Sequence, residues 1–304
     1  MEHRIMTKRN TSPVHHCLSR AFSQRLAGAL LAVPAVCLLA GAAQAAGTPD
    51  PGDYVPAPAG ATVFAVYAQH LKSDKVYENG HKVEDGLGLR LDIGVARLMH
   101  YVDVGGKTMD FEIILPYARQ RIRSMDYRES GLGNLQLGTT YWMLEDNEAG
   151  RYAAWAAYLT LPTGSHRKDG FAISEDRYAL DLEAAYLTPL GGRWSLDLIG
   201  QVEAYTHDDA TDVHRRPMAR AFAHLSYHWS EQTRLAFSVR QSWGSRETLY
   251  GEKVLGSKND TNLMLTWAHQ FTDNFQLQLQ YADDVHVRNG SPVRALQART
   301  VFVF

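Results

Sequence analysis

Alternation of apolar and polar residues with a period of two runs through most of the chain and constrains its fold more than any other feature. In Leu87–Val95 every odd position is apolar, while Arg90 and Asp92 occupy even positions. Successive side chains of a strand point to opposite faces, so this segment predicts a strand with one apolar and one polar face. The pattern recurs from residue 61 to residue 304 without a helical stripe of three turns. We therefore predict an all-β fold.

The alternation divides into about twelve segments, most of them longer than the strands of soluble proteins. The predicted strands span 61–70, 86–102, 108–123, 132–144, 151–161, 176–188, 193–206, 217–229, 233–243, 259–271, 275–283 and 293–304. Soluble strands average about 5–6 residues, whereas a strand that crosses a bilayer at a tilt needs about 9–11. Short turns alternate with longer loops, such as 71–85, as in outer-membrane barrels. The sequence predicts a transmembrane antiparallel up-and-down β-barrel of about 12 strands.

Aromatic residues cluster beside the predicted short turns. They are Tyr101, Tyr141, Trp142, Tyr186, Trp194, Tyr227, Trp229, Trp267 and Phe275. Amphipathic rings prefer the interface between lipid and water, so the cluster predicts an aromatic girdle at the periplasmic rim. A secreted β-sandwich would also alternate, but it has no reason to concentrate aromatic residues at one set of turns. Arg97 and Met99 fit the apolar face of their strand poorly, which predicts a bulge or register change near Ala96.

Residues 1–45 have the layout of a secretory signal peptide. Basic residues precede an apolar core at Leu26–Ala40, and Ala43-Gln44-Ala45 supplies small residues for cleavage near Ala45. An uncleaved membrane anchor is the alternative interpretation. Translation starts at either Met1 or Met6. Export through this leader predicts a location in the bacterial outer membrane.

Composition excludes several classes of protein. The 304 residues include 31 Lys and Arg against 33 Asp and Glu, and 45% are hydrophobic. This balance argues against nucleic-acid binding, and the apolar content argues against disorder. Both cysteines, Cys17 and Cys37, lie in the leader, so the exported chain has no disulfide or thiol chemistry. No phosphate-binding or Cys-x-x-Cys motif is present, and we expect no cofactor and no metal.

Three regions follow from these features. Residues 1–45 form the predicted signal peptide and residues 61–304 the predicted outer-membrane barrel. Between them, residues 46–60 are rich in Pro and Gly and should be extended. We assign this N-terminal segment to the periplasm. Its folding back into the barrel as a plug remains the open alternative.

Six segments carry a resemblance to a known family, and they are Tyr54–Gly60, Leu91–Tyr101, Ile114–Pro116, Gly131–Trp142, Tyr158–Gly164 and Trp194–Gln201. The family is the meta-pathway phenol-degradation (MetA-pathway) family of outer-membrane transporter-like proteins. The more specific motifs are Gly131-Leu-Gly-Asn134 and Leu161-Pro-Thr-Gly164, with Asn134 where the family usually has Asp. The resemblance implies a barrel for uptake of small hydrophobic or aromatic compounds linked to their degradation.

Charged residues on the predicted polar faces are the candidate lumen lining and binding residues. They are Arg90, Asp92, Glu112, Asp181, Glu183, Asp197, Glu203, Arg220, Arg234 and Arg240. Barrels of about 8 strands are filled by side chains and those of about 16–18 hold an aqueous channel, so twelve strands predict a narrow path. Opposed charges there can select a solute, or they can pair with one another and plug the interior. Arg220 should lie nearly level with Glu203 and close to Arg240.

The sequence is compatible with three functions. Passage of small hydrophobic solutes is the first, and a structural outer-membrane protein with a filled lumen is the second. The third is an outer-membrane hydrolase, for which His207 beside Asp208, or Ser165 beside His166, are loop candidates. A general base must come within about 2.6–3.2 Å of its proton, which no sequence pattern here indicates. We therefore predict a protein that is not an enzyme.

The predicted partners follow from the predicted location. They are outer-membrane lipid, lipopolysaccharide and a small hydrophobic solute, with no nucleic acid. The last strand ends at Phe304 with aromatic residues at alternate positions. This ending resembles the C-terminal signature of bacterial outer-membrane proteins, which implies recognition by the barrel-assembly machinery.

Overall fold

A closed antiparallel barrel forms the protein in the computed structural model, which describes residues 48–168 and 170–304. The predicted signal peptide lies outside the described residues. The main sheet has 13 strands. Two of them, Tyr127–Leu132 and Leu135–Asp146, follow one another along the same neighbouring strand and act as one wall strand. The wall therefore has twelve strands, and the predicted barrel is confirmed.

The strands lie close to the predicted spans, with three short additions outside the wall. They are β1 Thr62–Glu78, β2 His81–Asp103, β3 Thr108–Ile122, β4 Tyr127–Leu132, β5 Leu135–Asp146, β6 Arg151–Leu161, β7 Ala179–Gly191, β8 Trp194–Tyr205, β9 Val213–Arg215, β10 Met218–His228, β11 Thr233–Gly244, β12 Glu247–Leu249, β13 Glu252–Leu255, β14 Lys258–Thr272, β15 Phe275–His286 and β16 Arg294–Val303. Pairing of β1 with β16 closes the ring and removes the open sheet edges. A single turn of 3₁₀ helix, Arg123–Met125, joins β3 to β4. Within the described ranges, no helix is long and apolar enough to cross a membrane.

The wall has an apolar outer face along most of its strands. On β3, Phe111 and Ile113 are 55% and 50% exposed, while Glu112 between them is buried inside the barrel. The same division holds on β7, where Leu182 is exposed and Glu183 is buried. Exposed aliphatic side chains of this kind are suited to lipid, and buried polar ones to the interior of the barrel.

Strand β2 has the opposite orientation from the one its alternation predicts. Leu89 and Leu91 are 1% and 0% exposed, so the apolar face points into the barrel. Arg90 and Asp92 point outward instead, and Asp92 pairs with the exposed His70 on the outer wall. The prediction that Arg90 and Asp92 line the lumen is therefore wrong. Alternation fixes which residues share a face, but not which face is inside.

No bulge is needed near Ala96, and that prediction is wrong as well. The pairing of β2 with β1 and with β3 runs through Ala96 without a register shift. Arg97 simply continues the inward face of Val95, where its guanidinium finds acidic partners. Arg97, a charged residue on an otherwise apolar face, thus indicated that this face of β2 points into the barrel.

A tight turn replaces the predicted loop 71–85. Strands β1 and β2 continue beyond the rest of the wall and meet at Asn79 and Gly80. These residues have φ angles of 50° and 83°, in the left-handed region that a two-residue hairpin turn requires and that Asn-Gly adopts readily. The Asn-Gly pair was the sequence signal for this hairpin.

The longer loops carry a small second sheet. Strands β9, β12 and β13 form three antiparallel strands within the predicted loops 207–216 and 244–258. This outer sheet lies on the side of the longer loops, which is the extracellular side in outer-membrane barrels.

The aromatic girdle is present at the opposite rim, but two of its predicted members are not part of it. Trp194 and Trp229 are 45% and 64% exposed, and both lie against the ring of Tyr227. In contrast, Tyr101 and Trp142 are 6% and 1% exposed because they point into the barrel. Their inclusion in the girdle was therefore wrong.

Because the outer face of β7 is exposed to lipid, the free-energy cost of a charged substitution there should depend on its depth in the membrane. Leu182 lies well inside the strand, whereas Tyr178 precedes its extracellular end, and both side chains are about half exposed. Leu182→Arg should lower the free energy of unfolding in lipid vesicles by about 2–4 kcal/mol, and Tyr178→Arg by about 0–1 kcal/mol. Denaturant titration of vesicle-inserted protein measures both. Equal costs for the two variants would contradict the assigned outer face.

The orientation of β2 can be tested with single cysteines, since Cys17 and Cys37 both belong to the predicted leader. Asp92→Cys should react with a membrane-impermeant maleimide added to whole cells, because position 92 is on the outer wall near its extracellular end. Leu91→Cys should stay unlabelled until the protein is denatured. The reverse ranking would restore the orientation expected from the sequence.

Candidate permeation pathway

Eight of the ten predicted lumen residues face the interior of the barrel. These are Glu112, Asp181, Glu183, Asp197, Glu203, Arg220, Arg234 and Arg240. They lie on five strands, β3, β7, β8, β10 and β11, and they share the interior with a segment of the chain that precedes the barrel. Arg90 and Asp92 take no part, as described above.

The N-terminal segment lies inside the barrel, in place of the periplasmic location expected from the sequence. Asp50 and Tyr54 are 3% and 5% exposed. The segment contacts inward-facing side chains on widely separated strands, including Asp197 on β8 and Gln280 on β15. It enters from the rim where β1 begins, because the Gly60 N–H donates to the Tyr101 carbonyl there. The alternative of a plug folded back into the barrel is the one that the geometry matches.

Arg299 on β16 holds the segment by two carboxylates. Its Nη1 lies 2.6 Å from Asp53 Oδ1 and 2.9 Å from Asp50 Oδ2. The guanidinium also lies over the ring of Tyr67, 5.6 Å from its centroid. Arg97 adds a longer ion pair, 3.8 Å from Asp53. Buried charges of this kind are costly unless they are paired, so each partner requires the other.

Two aromatic residues of the wall fix the position of Tyr54 in the N-terminal segment. Trp142 donates a hydrogen bond from Nε1 to the Tyr54 carbonyl at 2.9 Å. Tyr101 packs beside Trp142 with ring centroids 5.8 Å apart. The hydroxyl of Tyr54 donates to Glu183 on β7. Tyr54 therefore bridges the interior between β5 and β7.

Gly52 is required where the segment turns. Its φ of 79° lies in the left-handed region, and a Cβ there would sit 2.0 Å from Arg234 Nη1. The Gly52 N–H donates to Asp197 Oδ2 at 2.7 Å, and Arg234 Nη2 donates to the Pro51 carbonyl at 2.5 Å. Two of the predicted lumen residues thus bind the backbone of the segment.

Three further interior arginines pair with acidic residues on other strands. Arg97 Nε lies 2.5 Å from Glu112 Oε2, and Arg220 Nη2 lies 2.6 Å from Glu203 Oε2, the residue that the sequence placed level with it. Arg240 is 3.3 Å from Asp284 on β15. Each of these three arginines therefore has an acidic partner on another strand, as buried charge requires.

A cavity of about 340 Å³ remains between the segment and the wall. Part of its lining is charged, as at Arg97 and Glu183. Aromatic and apolar side chains also line it, among them Tyr67, Met99, Tyr101, Tyr158, Val301 and Val303, together with Thr140, Gln270 and Gln276. Cavities that hold a small organic molecule have similar volumes, with apolar walls and polar groups that fix the orientation of the ligand.

On the extracellular side, the loop between β6 and β7 folds into the mouth of the barrel. Phe171 and Ile173 in this loop are 1% and 7% exposed. Gln120, an inward-facing residue of β3, binds the loop twice, by donating to the Gly170 carbonyl and by accepting from the Ala172 N–H. The interior is therefore narrowed from both ends.

The two family-like motifs meet where β4 gives way to β5. The Asn134 side chain accepts a hydrogen bond from the Gly164 N–H at 3.0 Å and donates one to the Glu175 carbonyl at 2.8 Å. A Cβ on Gly133 would lie 2.7 Å from the Ile173 carbonyl, and one on Gly164 would lie 2.7 Å from Gly133. Their glycines allow the loop to pack directly on the backbone of the wall.

A buried charge network fixes this loop to the outer sheet. Arg215 on β9 lies 2.5 Å from Glu175 and 2.6 Å from Glu247, and Arg177 lies 3.3 Å from Glu175 and 3.2 Å from Asp208. Burial by itself would raise the pKa of the Glu175 carboxyl, but Arg215 and Arg177 lower it below its ordinary value of 4.5. The carboxylate is therefore the form that holds the loop.

The catalytic candidates form no triad in the described residues. His207 is half exposed and faces Asp212 at 3.3 Å, while Asp208 forms an ion pair with Arg177. His166 faces Glu129 at 3.4 Å. Within the described ranges, no group of three metal-ligating side chains is placed to hold a metal ion.

Several interior residues were missed by sequence reasoning. Arg97 was the clearest signal, as a charge on an otherwise apolar face. Arg299 precedes the aromatic ending of the last strand, which is recognised by its apolar positions alone. Asp50 and Asp53 lay in a segment whose composition indicates extension, but not what it binds.

The Arg299 pairing predicts that the segment loosens when its cation is lost. Arg299→Gln should raise the mean single-channel conductance or the fraction of time spent in an open state, because Asp50 and Asp53 would lose their shared partner. Arg294→Gln on the outward face of the same strand is the matched control. Recordings from both variants that match the wild type would contradict a restraining role for Arg299.

The Glu175 network predicts acid sensitivity of the extracellular loop. A carboxyl with a depressed folded-state pKa contributes stability above its unfolded pKa and loses it as pH falls through the folded value. Proteolysis of residues 162–178 should therefore increase below about pH 4.5. Glu175→Gln should be cleaved readily at neutral pH and show a flatter profile, whereas Glu252→Gln, at an exposed position of the outer sheet, should behave as the wild type does. A pH profile unchanged by Glu175→Gln would argue against the network.

Comparison with known proteins places this geometry in a family of outer-membrane proteins. The crystal structure of the COG4313 outer membrane channel from Pseudomonas putida F1 matches with 32% identity and a TM-score of 0.80, over 84% of this chain and 100% of that chain. The transport unit of the autotransporter AIDA-I from Escherichia coli matches at 12% identity and a TM-score of 0.52, over 89% of this chain and 99% of that chain, which shows the barrel fold alone.

The family comparison agrees with the structural one. No curated protein matches the sequence. A family model described as "Putative MetA-pathway of phenol degradation" matches residues 73–300, which confirms the resemblance carried by the Gly131–Asn134 and Leu161–Gly164 motifs. The chain belongs to this family, and it is an outer-membrane channel-like barrel.

Proposed function

We propose that the protein admits small hydrophobic or aromatic compounds across the outer membrane, along a path that the N-terminal segment narrows. The observation that carries the proposal is the cavity beside that segment. It combines aromatic and apolar walls at Tyr67, Met99 and Tyr158 with the paired charges of Arg97 and Glu112. Aromatic solutes can pack against such walls, while the polar groups of the lining can fix their orientation.

The family membership supports the same class of solute. The relative from Pseudomonas putida F1 is named as an outer membrane channel, and the family description concerns phenol degradation. Neither identifies the compound that this chain admits. A small aromatic molecule fits both the family description and a cavity of about 340 Å³.

A structural protein with a filled lumen is the competing function. The interior ion pairs between Arg220 and Glu203 and between Arg240 and Asp284 support it, because they also stabilise the wall. It differs from the channel in one respect, since a filled lumen should show no solute-dependent response. We propose passage without catalysis in preference to an outer-membrane hydrolase, because His207 and His166 face carboxylates at exposed or half-exposed sites.

Planar-bilayer recording with an added aromatic solute tests the proposal. Micromolar to millimolar catechol should interrupt the ionic current in a concentration-dependent way, whereas a polar sugar should have a weaker effect. Met99→Gln keeps the side-chain length and makes the cavity wall polar, so it should weaken the block without abolishing conductance.

Met143→Gln provides the control, since Met143 is 52% exposed on the outer wall. It should be blocked as the wild type is. A wild-type protein that inserts but conducts no ions, or that responds equally to catechol and the sugar, would favour the filled lumen.

Export and assembly complete the proposal. We place cleavage of the signal peptide near Ala45, and recognition by the barrel-assembly machinery in the last strand that ends at Phe304. The exposed aromatic side chain of Phe304 supports the second point. Outer-membrane lipid and lipopolysaccharide surround the wall in this location.

A further inference from the structure

Five basic residues form a continuous line across the outer wall near its extracellular end. Arg294 on β16 is opposite Lys72 on β1, which is opposite Arg90 on β2, and the line continues through Arg121 on β3 to Arg128 on β4. All five side chains are exposed. At about 4.8 Å between strands this basic row extends about 19 Å around the barrel.

The basic row is poorly compensated by the protein itself. Arg294 pairs with Asp283 at 3.2 Å. Among the described residues, Lys72, Arg90, Arg121 and Arg128 make no ion pair with an acid. Like charges directly opposite each other on neighbouring strands are destabilising, and here four such pairings follow one another. An anion bound along the row would remove this repulsion.

Below the basic row, the outer wall has a groove lined by small residues. Ala68 on β1 is opposite Ala298 on one side and Gly94 on the other. Larger exposed side chains border it, with Leu279 next to Ala298 and Tyr117 next to Gly94. The groove begins four residues along β1 from Lys72, or about 13 Å toward the periplasmic side.

The basic row lies toward the extracellular side, and the apolar groove lies toward the periplasmic side. This arrangement matches an amphiphile with anionic head groups and acyl chains. Arg and Lys are the side chains that bind phosphate, Arg through its planar fork of donors. Basic clusters at the boundary of the lipid-facing surface are the usual site for phosphorylated lipid head groups. The extracellular position of the row selects the outer leaflet, where the phosphorylated lipid is a glycolipid.

We propose that the basic row and the small-residue groove form a binding site for lipopolysaccharide, with lipid A phosphates on the row and an acyl chain in the groove. The site rests on the outer-membrane location and is independent of solute passage. The outward orientation of Arg90 on β2 is what places this residue in the row.

Native mass spectrometry of the purified full-length protein tests the site, with bisphosphorylated hexa-acyl lipid A as the probe. The row variant is Lys72→Gln, Arg90→Gln, Arg121→Gln and Arg128→Gln combined. The control removes four exposed bases elsewhere, by Lys82→Gln, Lys168→Gln, Arg216→Gln and Lys253→Gln. Both variants must retain the heat-dependent gel shift of a folded barrel. The row variant should lose lipid A affinity at least about tenfold while the control does not.

The groove is tested separately by Gly94→Leu. Its Cβ would have only the Tyr67 carbonyl nearby, at 3.9 Å, so the larger side chain fills the groove without straining the wall. Gly94→Leu should weaken binding of hexa-acyl lipid A with the basic row intact. Gly200→Leu, at another open outward position, is the control. Equal binding by both leucine variants would overturn the groove.

Other occupants give different results. Displacement of lipid A by millimolar inorganic phosphate would show a free-phosphate site and overturn the glycolipid. A row-dependent dimer without lipid A binding would show an interface between copies. Unchanged binding by the row variant, or equal loss in the control, would overturn the site outright. Conductance in bilayers free of lipopolysaccharide should be the same for wild type and row variant, which separates this test from that of solute passage.

Discussion

Pairing of buried charge inside a narrow closed wall is the constraint on which the rest of the structure depends. A twelve-stranded barrel has too little interior to hydrate every inward-facing charge as a wide porin does. Its arginines and carboxylates must therefore find partners in the protein, because unpaired buried charges are costly. Some pair between strands, as Arg220 does with Glu203. Arg299 and Asp197 instead require the N-terminal segment, so the segment is part of the interior of the barrel.

Charge pairing also determines how the N-terminal segment is held. The N-terminal segment is held by side-chain contacts, such as Arg299 with Asp53 and Trp142 with the Tyr54 carbonyl. It is not held by the backbone hydrogen bonds that join neighbouring strands. Contacts of this type can open locally without unfolding the wall. At the extracellular end, Glu175 and Arg215 hold the second narrowing element in a similar way. The interior of a rigid wall is thus narrowed by two separately held elements, the N-terminal segment and the loop between β6 and β7. Such an interior is suited to the passage of small solutes.

Much of the wall could be predicted from the sequence, because alternation and turn spacing are local properties. The spans of β3, β6 and β11 agree closely with the alternation. The orientation of β2 could not be predicted in this way, since alternation gives two faces and burial decides between them. Most strands have a polar interior face, whereas β2 combines an apolar interior face with a charged outer one. Arg97 was the one local sign of this exception.

The interior site was less predictable for a physical reason. Its main contacts join residues far apart in the chain, such as Asp53 and Arg299, and neither residue has a distinctive sequence context. The motifs were more informative about packing than about solutes. Gly133, Asn134 and Gly164 are needed where a loop lies against the backbone of the wall. The close approach of the loop to the backbone of the wall accounts for these glycines.

Single-channel conductance after deletion of residues 48–58 tests the central claim most directly. The deletion removes Asp50, Asp53 and Tyr54 and leaves every strand of the wall intact. If the segment narrows the path, the folded deletion variant should conduct severalfold more current than the wild type at the same salt concentration. A folded variant with the conductance of the wild type would contradict the account.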